Sequence, residues 1–317
     1  MTIGKNDTNQ NDYPNPNNEK PNAAIIASPD LVDKTNRFYK IPKFFSHPIP
    51  SMKIYILDNG WLECDANWIV ANTTLGTAAN PHVPSKWIKI PSYAILIQHP
   101  AKGWILFDTG NHPDAMNGYW PPELQAVFPY YHTKKQLLVN QLASIGLTPG
   151  DIKTVVVSHG HMDHAGGLFL FKHADIYWSR ADFDYAQELV HAQPGISGGA
   201  YITADVEMPV KSRHYVTKDF EFVPGVEVIN LPGHTPDVLG IVVHLQGKTY
   251  IFPSDAIYTA RNYGPPVKSS GIIYDSLSFF DSIEKVRELE KQYNAKVMFP
   301  HDMDQFKTFK LAPDFYE

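Results

Sequence analysis

The sequence SHGHMDHAGG, residues 158–167, places three histidines and one aspartate within the six consecutive positions 159–164. It follows the apolar run Ile152–Val157, which predicts a buried strand because it is short, rich in β-branched residues and preceded by Pro149-Gly150. A sharp turn at the end of a strand can aim several side chains into one cavity while the strand holds the turn rigid. Since imidazole and carboxylate groups together suit zinc, iron, cobalt or manganese, the stretch predicts a metal site.

This turn is an incomplete site by itself. Neighbouring side chains point apart, so its four ligands cannot all serve one tetrahedral metal, and two metal ions sharing the cluster is the more economical geometry. Such a pair needs further ligands. Three candidates each follow a predicted strand: His234 in LPGHT, Asp255 in SD and His301 in PHD. A lone histidine after a strand is usually structural or exposed, but three such positions favour ligation, and a carboxylate is suited to bridging two cations.

Composition limits the other classes of function. The chain has 317 residues, of which 43% are hydrophobic, enough for a sizeable core. A net charge of −6 and a pI near 6.1 argue against a nucleic-acid partner. The single cysteine, Cys64, excludes an internal disulfide and a CxxC metal knuckle, so any metal must be held by histidine and carboxylate. Cys64 itself is expected to be a small buried residue in an early strand.

Residues 1–37 are predicted to form a polar, flexible extension, and residues 38–317 the folded domain. The first 22 residues are rich in Asn and Pro and lack the basic start and apolar segment of a signal peptide. Ala23–Ser28 is far too short to span a bilayer, and no other apolar run reaches the required length. A soluble, cytoplasmic protein without a membrane partner is therefore expected, and its extension could pack across a homodimer.

Strands and helices alternate along the chain in two halves, each beginning with strands. The strands are predicted at Lys53–Leu57, Tyr93–Gln98, Trp104–Phe107, Ile152–Val157, Asp175–Trp178, Phe222–Ile229, Leu239–Leu245, Thr249–Phe252 and Lys296–Phe299. The helices are predicted at Thr133–Ile145, with a capping box of Thr133 and Gln136, at Arg180–Val190 and at Leu277–Tyr293. The last helix carries an apolar stripe predicted to face the core, formed by Leu277, Phe280, Ile283, Val286, Leu289 and Tyr293. This order predicts an α/β protein with two sheets packed face to face and helices outside.

Two loop-like segments are rich in aromatic residues, namely Asn111–His132 and His191–Tyr215. Long loops inside compact domains are often lids or binding loops, although they can also simply cover the core. The sequence leaves open which of the two lines a pocket.

The HxHxDH string, together with the downstream PGH, SD and PHD, resembles the metallo-β-lactamase superfamily of hydrolases over about residues 50–317. The resemblance implies an αββα sandwich of two mixed β-sheets flanked by helices, with two divalent metal ions: zinc first, and iron, cobalt or manganese as alternatives. It also implies that Asp108, in FDTG, supports the site from behind. The ligands it implies are His159, His161 and His234 for the first metal, Asp163, His164 and His301 for the second, and Asp255 as the bridge.

A narrower resemblance is to the quorum-quenching N-acyl homoserine lactone lactonases. It is carried by HGHMDHAGG, by Asp255-Ala256-Ile257-Tyr258-Thr259 and by the C-terminal HDMDQFKTFKLAPDFYE. It implies that a hydroxide shared by the two metal ions opens the lactone ring, with no covalent intermediate. Tyr258 would then donate a hydrogen bond to the carbonyl oxygen, and Asp163 would protonate the leaving alkoxide. One departure is Asp237-Val238, where many relatives have Gly-His, and a local packing difference is expected there.

Two other functions stay open at this point. The C-terminal sequence also resembles the 4-pyridoxolactonases, and a small-lactone hydrolase of that kind would need a polar pocket with a cation, for which Lys211, Arg213 and Arg261 are candidates. A non-catalytic, metal-stabilised binding protein is the third hypothesis. The complete set of seven ligands with Tyr258 argues against it, because a purely structural metal needs no open two-metal site.

Overall fold

The computed structural model describes residues 51–192 and 197–317. The extension predicted over residues 1–37 and the predicted domain start at residue 38 lie outside the described residues. The strands are β1 (Lys53–Asp65), β2 (Trp87–His99), β3 (Gly103–Phe107), β4 (Tyr130–Tyr131), β5 (Thr154–Val157), β6 (Asp175–Ser179), β7 (Ser197–Gly198), β8 (Tyr201–Ile202), β9 (Ser212–Val216), β10 (Phe220–Val223), β11 (Val226–Leu231), β12 (Val238–Leu245), β13 (Lys248–Phe252) and β14 (Lys296–Val297). The α-helices are α1 (Ala66–Ile69), α2 (Pro122–Val127), α3 (Leu138–Ser144), α4 (Met162–Ala165), α5 (Arg180–Ala192), α6 (Thr203–Val206), α7 (Ala260–Tyr263), α8 (Ser276–Tyr293) and α9 (Met303–Phe306). Shorter 3₁₀ or π turns lie at Ala115–Tyr119, Lys134–Gln136, Pro149–Asp151, Leu168–Phe171 and Ser254–Ala256.

The described strands form two mixed sheets and a small ribbon. The first sheet has seven strands in the order β4-β1-β2-β3-β5-β6-β9, antiparallel from β4 to β3 and parallel from β3 to β9. The second has five strands in the order β10-β11-β12-β13-β14, of which only the last pair is parallel. Because β3, β5 and β6 run parallel, their carboxyl ends meet at one edge of the first sheet, and the His-rich turn begins there.

Strand alternation builds three apolar layers from these sheets. Successive residues of β1 point to opposite faces, so Ile54 and Ile56 pack between the two sheets while Tyr55 and Leu57 pack outward. The outer face of the first sheet is covered by α3 and α5, and that of the second by α8. The predicted αββα sandwich is therefore confirmed, and Cys64 is buried in β1 as expected.

The helix predicted over Thr133–Ile145 is broken at Leu137. The backbone of Leu137 is extended, with φ −64° and ψ 133°, and it separates a 3₁₀ turn from α3. The predicted capping box of Thr133 and Gln136 is present. Gln136 is also held from outside the helix, because its amide donates to Asp58 Oδ2 at 2.9 Å. This tertiary contact anchors the first turn to β1 and accounts for a break that helical periodicity does not indicate.

The strand predicted over Phe222–Ile229 is two strands, β10 and β11, paired antiparallel. The turn between them falls at Pro224-Gly225, and Gly225 adopts a φ of 84°, a conformation that glycine reaches without strain. The apolar residues on both sides disguise this turn as one continuous run.

The apolar stripe predicted on the last helix is wrong at its beginning. Leu277 is 75% exposed and Phe280 is 41% exposed, whereas Phe279 is completely buried. The loop before β12 crosses under α8 at this point, so closely that a Cβ on Gly233 would lie 2.4 Å from Phe279 Cα. Because of this close crossing, the face of α8 that carries Phe279 is buried, and the face that carries Leu277 and Phe280 is exposed. The buried residues of α8 are Phe279, Ser282, Ile283, Val286 and Leu289.

Among the residues described, none of the helices combines the length and the hydropathy that a transmembrane span requires.

Candidate metal centre

The His-rich turn is anchored by Asp108, which lies directly after β3. Asp108 has a φ of 63°, and its Oδ1 accepts a hydrogen bond from the Ser158 amide at 2.7 Å. Its Oδ2 lies 2.9 Å from Nδ1 of His164. The ends of the neighbouring parallel strands β3 and β5 are thereby tied together. Asp108 thus lies behind the cluster, in contact with one of its histidines, as expected of a supporting residue.

A first group of four predicted ligands comes together in the buried interior. One potential ligand atom from each of His159, His161, His234 and Asp255 lies within 4.8 Å of the others. Nε2 of His234 is 3.2 Å from Nε2 of His159 and 3.0 Å from Nδ1 of His161. The pKa of each of the three histidines is lowered, mainly because the ring is buried. Each ring is therefore neutral and can offer a lone pair to a metal ion.

A second group consists of Asp163, His164 and His301, whose potential ligand atoms also lie within 4.8 Å of one another. Asp163 Oδ2 is 3.7 Å from Nε2 of His164 and 3.6 Å from Nε2 of His301. Burial lowers the pKa of His164 and His301, but the carboxylates of Asp255 and Asp163 outweigh it, and both pKa values are raised. The two groups therefore differ in charge environment, because the second faces two carboxylates.

Asp255 lies between the two groups. Its Oδ1 is 3.2 Å from His164 Nε2 and 3.0 Å from His301 Nε2. Its Oδ2 is 3.6 Å from His159 Nε2 and 3.5 Å from His234 Nε2. One carboxylate oxygen thus faces each group, which is the arrangement required of a residue that bridges two cations.

The hydrogen bonding of these groups fits divalent metal ions. Nδ1 of His164 is directed at Asp108, so its Nε2 is the atom that faces Asp255 and Asp163, and this buried atom forms no well-aligned hydrogen bond. Asp255 Oδ1, which faces Nε2 of His164 and of His301, is also buried without a well-aligned hydrogen bond. Buried polar atoms that lack well-aligned hydrogen bonds are costly, and a cation bound between them would satisfy both. The donor set of histidine and carboxylate is the one that such cations prefer in proteins.

The outward-facing nitrogens of the histidines are occupied by partners that fix each ring. Nδ1 of His234 lies 3.1 Å from the Ile272 carbonyl oxygen, and Nδ1 of His301 lies 3.0 Å from that of Pro91. A carbonyl can only accept, so in both rings Nδ1 carries a hydrogen, and Nε2 is the nitrogen that faces the cluster.

Tyr258 lies against both groups. Its ring centroid is 5.3 Å from those of His234 and His301, and its hydroxyl oxygen is 3.0 Å from His234 Nδ1. Burial, followed by the charge of Asp255, raises the pKa of the phenol well above its usual value. Tyr258 therefore keeps its proton and can act as a hydrogen-bond donor.

An apolar groove of about 530 Å³ lies next to a smaller pocket that reaches the cluster. The smaller pocket, of about 190 Å³, contains His161 and His234, and both cavities are bordered by Ala200 and Ile272. Phe128 and Ala200 come one from each aromatic segment, so both segments contribute to the lining. Trp68 of α1 also lines the groove, and nothing in the sequence indicated this role, because α1 is a single short turn.

Of the three candidate cations, only Arg261 lies near the cluster. It borders a groove of about 510 Å³ that also contains His301. Lys211 is paired with Asp175 at 3.1 Å, at the opposite end of β6 from the His-rich turn. Arg213 stacks over the Phe183 ring at 4.5 Å.

The departure at Asp237 is accommodated by local hydrogen bonds. Asp237 is buried, and its Oδ2 accepts from the hydroxyl of Ser179 at 2.8 Å and from the amide of Asn230. Burial raises its pKa to about 6. The change is therefore one of packing, and Asp237 belongs to neither group of candidate ligands.

Comparison with known proteins agrees with this geometry. Residues 88–302 match the family model of the metallo-beta-lactamase superfamily. The chain is 35% identical over 276 residues to the N-acyl homoserine lactonase AiiB of Agrobacterium fabrum, covering 84% of this chain and 99% of that protein. It is 27% identical over 270 residues to an N-acyl homoserine lactonase of a Bacillus species, covering 83% of this chain and 98% of that one.

Solved structures share the fold. An N-acyl homoserine lactone hydrolase with its product N-hexanoyl-L-homoserine at the catalytic metal centre superposes with a TM-score of 0.72 at 23% identity, covering 85% of this chain and all (100%) of that chain. The dizinc quorum-quenching lactonase AidC superposes with a TM-score of 0.59 at 17% identity, covering 81% of this chain and 90% of that one. Taken together with the sequence identity to AiiB, the chain belongs to the metallo-beta-lactamase superfamily and, within it, to the family of the N-acyl homoserine lactonases.

Proposed function

We propose that this protein is a dinuclear metal-dependent hydrolase that opens the lactone ring of N-acyl homoserine lactones. The observation that carries the proposal is the position of Asp255, whose two oxygens face two separate groups of ligands, next to an apolar groove. A structural metal site would need neither the second group nor the groove.

The proposed metal ligands are those predicted from the sequence, with zinc as the first candidate metal. Two bound divalent ions would supply a water of lowered pKa, from 15.7 towards about 7, and would polarise the ester carbonyl. The first ion would be held by His159, His161 and His234, the second by Asp163, His164 and His301, with Asp255 shared.

Two of the chain's own side chains are proposed to act on the substrate. Tyr258 keeps its proton because burial raises its pKa, so it can donate a hydrogen bond to the carbonyl oxygen as negative charge develops there. Asp163 remains partly accessible, with 10% of its side chain exposed, and its Oδ2 faces His164 and His301, the two histidines of its own group. Asp163 is placed to hold the proton that the leaving alkoxide of the opened ring must gain.

The apolar groove is proposed to bind the acyl chain. Trp68 and Phe128 form its aromatic wall, with ring centroids 5.7 Å apart. Each methylene transferred from water into such a groove stabilises binding by about 0.8 kcal/mol. The groove therefore favours substrates with an apolar tail over small polar lactones.

A small lactone that bears a carboxylate is the second candidate substrate. The observation in its favour is Arg261, which borders the separate groove of about 510 Å³ that contains His301. The guanidinium group of Arg261 forms no hydrogen bond or ion pair with any described residue. Its guanidinium could hold an anion that the apolar groove would exclude.

A cytoplasmic location and a homodimer packed through the N-terminal extension stay predictions from the sequence.

A panel of substrates tests the proposal. Purified protein, stripped with a chelator and reloaded with zinc, is assayed on short- and long-chain N-acyl homoserine lactones, 4-pyridoxolactone, a thioester and a β-lactam. Turnover of the homoserine lactones that disappears on stripping and returns on reloading is expected. Cleavage of 4-pyridoxolactone alone would select the second candidate, and zinc binding without turnover of any substrate would favour a non-catalytic role.

A further inference from the structure

Asp182 lies directly behind the first group of ligands. It stands in the first turn of α5 and is completely buried. Its Oδ2 accepts a hydrogen bond from the amide of Gly160 at 2.8 Å. The hydroxyl of Thr235 donates to the carbonyl oxygen of Asp237 at 3.1 Å and lies beside the Asp182 carboxylate, where it counteracts the rise in pKa caused by burial. Gly160 stands between His159 and His161, and Thr235 directly follows His234. One carboxylate is therefore bonded to the segment that carries His159 and His161, and it lies beside the segment that carries His234.

The remaining donors to Asp182 form an aromatic wall against the turn. Trp178 Nε1 donates to Oδ2 at 2.7 Å, and the Tyr201 hydroxyl donates to Oδ1 at 2.6 Å. The turn is pressed so closely against these rings that a Cβ on Gly160 would lie 2.5 Å from Trp178 and 2.9 Å from Tyr201. The Tyr201 ring in turn packs edge-on against His161, with centroids 4.6 Å apart.

The burial of this carboxylate calls for an explanation. An ionised carboxylate without a paired cation is costly to bury, and no lysine or arginine of the described residues pairs with Asp182. Three hydrogen-bond donors compensate for the cost, and one of them, the amide of Gly160, belongs to the segment that carries His159 and His161. A mere filler of the core would be better served by an apolar side chain, whereas a carboxylate can fix two segments relative to one another.

We propose that Asp182 is a positioning residue that sets the mutual geometry of His159, His161 and His234 as metal ligands. It acts through its hydrogen bond to the amide of Gly160, through the ring of Tyr201 that packs on His161, and through its position beside Thr235, and it touches neither metal nor substrate. The inference rests on the proposed metal-dependent function. Residues that orient metal ligands in this way typically change metal affinity by about 10–100-fold when they are removed.

Asp205 provides a matched control for an experiment on Asp182. It is also completely buried in a short helical segment, and it also accepts a tyrosine hydroxyl, that of Tyr119 at 2.5 Å. It contacts none of the three histidines of the first group. Asp182→Asn and Asp205→Asn thus make the same substitution at two buried carboxyl groups that each accept a tyrosine hydroxyl, and only Asp182 lies behind the ligands.

The test measures zinc affinity by competition with chelators of graded strength, on full-length protein loaded with zinc. Asp182→Asn is expected to weaken the binding of at least one zinc ion by about 10–100-fold, while Asp205→Asn binds zinc as the original chain does. Tyr201→Phe keeps the ring and removes one donor, and it is expected to weaken zinc binding by several-fold.

Zinc affinity of Asp182→Asn equal to that of the original chain, or equal to that of Asp205→Asn, would overturn the inference. Should Asp182→Asn fail to fold, unchanged zinc affinity in Tyr201→Phe would overturn it equally. An original chain that binds no zinc would instead contradict the proposed function, so the two failures are distinguishable.

Discussion

The hydroxyl oxygen of Tyr258 lies 3.0 Å from Nδ1 of His234, on the side of the ring that faces away from the metal ligands. The hydrogen on Nδ1 is already directed at the carbonyl oxygen of Ile272. Nδ1 is therefore a donor and cannot accept from the phenol, so the phenol's own hydrogen is free to point at a substrate. This relationship places a protonated donor beside the ligand cluster without making it a ligand.

Tyr258→Phe removes that donor and is expected to lower kcat by about 10²-fold, since one such hydrogen bond to a developing oxyanion is typically worth about 3 kcal/mol. Metal content should stay unchanged, because the phenol is not among the ligand atoms. Steady-state kinetics and elemental analysis check both. Tyr130→Phe is a suitable control, because Tyr130 is also buried and donates to the Asn59 carbonyl at 2.6 Å. Unchanged turnover in Tyr258→Phe would remove Tyr258 from the mechanism.

Asp255→Asn is expected to lose at least one metal ion per chain, because the amide cannot present an anionic oxygen to each group. Elemental analysis after gel filtration measures the metal content directly. Asp219→Asn serves as the control, since Asp219 pairs with Lys285 at 2.7 Å and belongs to neither group. Full occupancy in Asp255→Asn would contradict the bridging role.

Trp68→Ala is expected to weaken the preference for long acyl chains. The indole is 39% exposed and forms part of the groove wall, so its loss returns roughly two methylenes of a long chain to water. This corresponds to about a tenfold lower kcat/KM for a long-chain substrate, with little change for a short one. Trp87→Ala is the control, because Trp87 is also exposed, at 49%, and lies outside the groove. Equal losses for both chain lengths would argue that the acyl chain binds elsewhere.

Asp205 is expected to make folding stability depend on pH. Burial raises the pKa of this carboxyl from 3.8 to about 7. Between these values the folded chain keeps a proton that the unfolded chain has released, so stability falls as the pH rises through this window and the full loss is present above pH 7. This difference between the folded and unfolded pKa corresponds to a loss of about 4 kcal/mol.

Urea unfolding of the original chain and Asp205→Asn between pH 4 and 8 checks this expectation. The stability of the original chain should fall relative to Asp205→Asn as the pH rises. Asp304→Asn, at a side chain that is 95% exposed, should show no such trend. A difference between the original chain and Asp205→Asn that is the same at every pH would show that Asp205 is not protonated in the folded protein at pH 5–6.

The helical and strand predictions held where short-range patterning is sufficient. The run before the His-rich turn is a buried strand, and the box of Thr133 and Gln136 caps a helical turn, because both depend on neighbours within a few positions. The predictions failed where a distant segment intervenes. Leu137 breaks a helix because Asp58 holds the preceding residue, and Gly233 passing under Phe279 selects a different face of α8.

The sequence by itself determined which residues are candidates for metal binding, since histidine and aspartate crowd one turn at a strand end and recur after three later strands. Only the tertiary structure decided how they divide into two groups with Asp255 between them, because those distances depend on how two sheets pack. The same holds for Asp182 behind the turn and for Trp68 in the groove. Neither carries a local signal, since each gains its role from contacts with residues far away along the chain.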